Sequence, residues 1–75
     1  MSRSDAETLA AIIRKDWPDV EVSIYEDTEY NEGWLCDVEG PARDISAIAN
    51  KFHTTTTRKL QQMTATHLLF HWEKP

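Results

Sequence analysis

Two short runs of period-two alternation, joined by an acidic turn, constrain this chain more than any other feature. Val20-Glu21-Val22-Ser23-Ile24-Tyr25-Glu26 alternates apolar and polar residues, the pattern of a strand with one face against a core and the other toward water. Val20, Val22 and Ile24 therefore face inward. Trp34-Leu35-Cys36-Asp37-Val38 resumes the alternation with Trp34, Cys36 and Val38 inward. The polar stretch from Asp27 to Gly33 connects the two and closes on a glycine that can take positive φ. The prediction is a β-hairpin with an acidic tip.

The flanking segments carry helical periods. Ser4 followed by Glu7 has capping-box spacing, which predicts a helix starting there. Ala6, Leu9, Ile13 and Trp17, with Ile12 beside them, form one apolar stripe, and Arg14 and Lys15 suit the negative C-terminal end of that helix. Pro18 stops it, because the residue before a proline is pushed out of the α region. After the hairpin, Gly40-Pro41 ends the second strand and opens a second helix. Ile45, Ala49, Phe52, Thr56, Leu60 and Met63 keep a continuous four-and-three spacing, which predicts one long helix from about Pro41 to about Gln62. Thr54 to Thr57 opposes that reading, since four β-branched residues together cost on the order of 2 kcal/mol relative to Ala. The competing reading ends the helix near Lys51 and makes Phe52 to Leu60 a strand. The single helix is favoured, because a turn through Gln61-Gln62-Met63-Thr64 would lack the Gly, Asn, Asp or Pro that tight turns use.

Thr66, Leu68, Phe70 and Trp72 alternate with His67, Leu69 and His71, so a third strand follows, with Glu73-Lys74-Pro75 as a polar end. The expected fold is a small α+β domain of order αββαβ: a three-stranded antiparallel sheet in the order 2-1-3, with both helices packed on one face. Ile24, Trp34, Val38, Phe52, Phe70 and Trp72 are expected to share its core.

A chain of 75 residues makes a single domain, residues 1–75, near the size at which one core only just suffices. Three Trp, two Tyr and two Phe within a 40% hydrophobic composition supply enough apolar bulk to fold, and the 28% charged fraction lies outside the disordered class. One cysteine, Cys36, excludes an internal disulfide, so a reducing, cytoplasmic setting is expected. No apolar run of signal-peptide or membrane-span length is present.

The charge is unevenly placed. Residues Asp16 to Asp44 hold ten carboxylates against one base, Arg43, in a protein whose net charge is -5, so both flanks are basic. Catalytic readings fare poorly against this background. His67 and His71 are four residues apart, which on a strand is ~13 Å, too far for one metal ion, and they read as surface histidines. Cys36 between Trp34 and Val38 on an apolar face reads as a small core residue rather than a nucleophile. The oxygen-rich turn from Glu26 to Gly33 lacks the ligand order of an EF-hand. No enzyme, metal or cofactor is expected. Direct nucleic-acid binding is not expected either, because the bases are few and scattered.

What remains is a binding surface. The hairpin carboxylates Glu26, Asp27, Glu29 and Glu32 cluster, and the sheet face opposite the helices should show Tyr25, Leu35, His67, Leu69 and His71, more like a contact surface than a solvent face. These residues predict a non-enzymatic acidic module that binds a basic protein surface. Its sharpest form is an inhibitor of a nucleic-acid-handling complex, with carboxylates occupying Lys and Arg sites that otherwise hold phosphates. Phage-encoded inhibitors such as anti-CRISPR proteins share this small size and acidity, a likeness of composition alone. The alternative is a homo-oligomeric subunit, a homodimer for instance, that buries the Leu35 and Leu69 face against itself.

Overall fold

The computed structural model describes residues 1–28, 33–52, 54–56 and 63–72. Helix α1 spans Arg3–Asp16, strands β1 and β2 span Glu21–Asp27 and Gly33–Glu39, helix α2 spans Ala42–Phe52, strand β3 is Thr55–Thr56, and strand β4 is His67–His71. The α+β class and the hairpin are as the alternation predicts. The detail differs in two linked ways.

First, α2 ends at Phe52, and the β-branched run supplies β3 instead of continuing the helix. The expected single helix to Gln62 is thus overturned, and the local cost of four consecutive β-branched residues wins over the longer apolar period. Second, the sheet order is β1-β2-β4-β3, all neighbours antiparallel. The final strand pairs with β2, not with β1, so the expected 2-1-3 order is corrected: β2 is central and β1 lies at an edge.

Helix α1 begins two residues before the expected start. Ser2 is its N-cap, with Oγ accepting from the Asp5 N–H at 3.1 Å, so the capping hydroxyl is Ser2 rather than Ser4. The helix stops where Pro18 requires: Trp17 leaves the helical region at φ -130° while its N–H still donates to the Ile13 carbonyl at 2.8 Å. In α2, the Pro41 carbonyl accepts from the N–H groups of Asp44 and Ile45, placing the proline just outside the first turn.

The core lies between the helices and one sheet face. Ala6, Leu9 and Ile13 of α1, Ile45, Ile48 and Phe52 of α2, and Val20, Cys36, Val38, Leu68 and Phe70 from the sheet side form one buried cluster. Ile24, Trp34 and Trp72 pack against it half-buried. All six residues expected to share a core therefore do so. At one end, Phe52 meets Trp17 and Trp72 edge-on at 6.3 and 5.5 Å between ring centroids. Lys51 lies over Trp17 at 5.6 Å and reaches Asp16 at 3.3 Å, which joins the C-terminal ends of the two helices.

Gly33 is required where it stands. It takes φ +79°, and a Cβ there would lie 2.9 Å from the Met1 carbonyl oxygen. That carbonyl accepts the Trp34 N–H at 2.8 Å, so the first residue is fixed against the start of β2.

Candidate functional site

The outward face of β1 and β2 concentrates carboxylates by simple alternation. Glu21, Ser23, Tyr25 and Asp27 project from β1, and Leu35, Asp37 and Glu39 from β2, opposite to the core-facing set. The register then sets Glu21 directly across from Glu39, and Ser23 across from Asp37. Like charges at directly opposed positions destabilise a sheet, so this placement is a local conflict that the hairpin tolerates. A shallow concavity of about 230 Å³ lies over it, lined by Glu21, Val22, Ser23, Asp37 and Glu39.

One histidine borders this depression. His67 on β4 is the cross-strand partner of Glu39, and its ring Nε2 contacts Asp37 Oδ1. Both side chains are about one-third exposed, at 29% and 34%. Tyr25 is exposed at 37%, and its phenol is pushed above the usual range by partial burial first and by the Asp37 and Asp27 carboxylates second.

The residues singled out from the sequence divide sharply. Glu26 and Tyr25 are exposed as expected. Glu29 and Glu32, with the hairpin tip, lie outside the described residues. Asp27 is not an exposed turn carboxylate: it is the last residue of β1, paired with Gly33, and is 5% exposed. Leu35 and Leu69, expected to stand on an open face, are buried at 0% and 3% exposure. They hold the fold together and offer no exposed anchors for a partner or a second copy. His67 and His71 face away from the helices, as expected, and are half-buried. The sequence reading missed Glu21, Ser23, Asp37 and Glu39. Their signal was present in the same alternation that identified the strands, which assigns all four to the outer face.

Cys36 is fully buried, its thiol donating toward the Ala6 carbonyl at 3.7 Å. Burial pushes its pKa up to about 12, outweighing the opposing influence of Arg14 and the N-terminal amine. Among the described residues, no group of three or more His, Cys, Asp or Glu side chains is arranged to hold a metal ion, and no helix is long and apolar enough to cross a membrane. Compared with known proteins, the chain matches no family model, no curated protein and no solved structure.

Proposed function

We propose that this chain is a non-enzymatic protein-binding module whose outer sheet face engages a basic surface on a partner. The observation that carries the reading is the opposition of Glu21 and Glu39 across the hairpin, with Asp37 on the same concave face. A sheet that only needed a solvated face would be more stable with opposite charges in those positions. A partner's Lys or Arg side chains relieve the repulsion on binding, so the conflict in the free protein becomes complementarity in the complex.

The sharpest form of the reading is an inhibitor of a nucleic-acid-handling complex. Carboxylates held on a rigid strand pair offer a basic groove the negative charge that it otherwise takes from phosphates, and the field of the acidic segment speeds encounter. The test uses purified nucleic-acid-binding proteins with exposed Lys/Arg grooves, with association rates measured at low and high salt against a Glu21→Gln, Glu39→Gln double variant. Binding is expected to be displaced by nucleic acid, and the variant to associate more slowly, chiefly at low salt. Equal rates for parent and variant at both salt concentrations would exclude the reading.

A further inference from the structure

Strand β1 forms one edge of the sheet, and two hydrogen bonds fix which of its backbone groups point outward. Arg14 Nη2, reaching up from α1, donates to the Val22 carbonyl at 2.7 Å. Trp34, directly opposite Glu26, donates its N–H to the Met1 carbonyl instead of to β1. In an antiparallel pair, residues that exchange bonds with the partner alternate with residues that do not. Both observations give the same phase. Glu21, Ser23, Tyr25 and Asp27 bond to β2, while the N–H and C=O groups of Val22, Ile24 and Glu26 point away from the sheet. Arg14 covers the Val22 carbonyl. Among the described residues no strand pairs with the rest of that edge.

We propose that this edge receives an extended, basic segment of a partner protein as an added strand. The inference rests on the binding-module reading above and names how the partner is held. Strand addition takes affinity from main-chain hydrogen bonds and specificity from alternate side chains, and both are in place here. On the helix side, an incoming strand meets Val22 and Ile24, which are half-buried and apolar. On the outer side it runs beside Glu21 and the exposed ring of Tyr25, with Asp37 and Glu39 one strand behind. The matching segment therefore alternates apolar residues with Lys or Arg. Cations on its outer side face carboxylates and an aromatic ring, which also attracts them.

A second copy of this chain fits the edge poorly. β1 carries Glu21, Glu26 and Asp27 and no base, so pairing it with itself sets carboxylates against carboxylates. Arg14 has a role in this account. Its guanidinium occupies one outward carbonyl and blunts the edge against indiscriminate pairing, a common use of charged side chains beside edge strands, and it leaves the backbone groups of Ile24 and of Glu26 unpaired by any described strand.

The test uses the intact chain and a capped synthetic peptide of alternating Lys and Val, as long as β1. Binding is followed by calorimetry at low and high salt, and strand addition by amide hydrogen exchange. The expected result is protection of the Val22, Ile24 and Glu26 amides in the complex with little change at Ser23 and Tyr25. Two variants separate backbone from charge. Glu26→Pro removes an outward N–H at a site where an edge strand tolerates proline, and Glu26→Gln removes the charge alone. The proline variant is expected to weaken binding about tenfold or more, and the glutamine variant several-fold less than that. Circular dichroism of both variants confirms the fold, and loss of fold in Glu26→Pro leaves amide protection as the deciding measurement. Salt-sensitive binding without protection of those amides overturns strand addition and leaves face binding intact. Absence of peptide binding at every salt concentration, or protection of those amides by self-association without peptide, overturns the proposal.

Discussion

Neutralising Glu39 is expected to stabilise the free protein while weakening its hold on a basic partner. In the structure Glu39 stands across from Glu21 and two residues beyond Asp37 on the same face of β2. The cross-strand repulsion is worth about 0.2–1 kcal/mol. A Coulomb estimate agrees, since two charges roughly 5.5 Å apart in a water-like medium repel by about 0.8 kcal/mol. Asp37, at ~6.7 Å along the strand, adds about 0.6 kcal/mol before screening. Screening and side-chain freedom reduce the total, so Glu39→Gln is expected to gain about 1 kcal/mol at low salt, a rise of roughly 4–8 °C in Tm for a domain of this size. The gain should shrink steeply at high salt, because the Debye length falls to about 3 Å at 1 M. The assay is urea unfolding at two ionic strengths for Glu21→Gln, Glu39→Gln and the double variant. The cycle should return a coupling of about 0.5 kcal/mol, the second substitution gaining less once the first has removed the repulsion. A coupling of zero at low salt, or a Glu39→Gln protein no more stable than the parent, would refute the claim that this face carries a destabilising like-charge pair.

Other expectations follow from burial. Phe70→Ala should cost about 3–5 kcal/mol, since Phe70 is 0% exposed at the centre of the core, and a thermal melt unchanged by the substitution would contradict that placement. Leu35→Ser should cost about 3 kcal/mol or more through lost burial and a hydroxyl left in an apolar site, whereas an unshifted urea midpoint would mean that Leu35 is exposed after all. Cys36 should resist alkylation near neutral pH except through unfolding, and rapid modification of the native protein would show the thiol to be accessible. Because its pKa rises from 9.0 to about 12 on folding, the unfolded chain releases this proton first as pH increases. The stability linked to Cys36 is therefore fully present below pH 9.0, is lost progressively from there to about 12, and should remain unchanged across that interval in a Cys36→Ala protein apart from other titrations.

The sequence carried the elements better than their arrangement. Amphipathic period located α1, the hairpin and β4 to within about two residues, because each buries one face and the alternation has no other cause. It also placed Cys36 in the core and Leu35 and Leu69 on the opposite face. What alternation does not encode is whether that second face meets water: a strand residue's side is local information, and its cover is tertiary. The candidate site needed one further step. Glu21, Asp37 and Glu39 are legible as outward residues, but their opposition depends on the hairpin register, and the contact of His67 with Asp37 depends on β4 lying beside β2.

The threonine run decides that last point, and through it the proposed docking edge. A single long helix that returned the chain along the sheet would bring it into its next strand parallel to β2. An antiparallel sheet would then place that strand beside β1, burying β1 in the middle. Ending α2 at Phe52 and inserting β3 adds one reversal. The chain now enters β4 antiparallel to β2 and pairs there, and β1 is left at the edge with the outward backbone groups of Ile24 and Glu26. A helical penalty on the order of 2 kcal/mol, spread over four β-branched residues, thereby selects between two strand orders. Only the order it selects gives this acidic strand an edge to which a partner strand can be added.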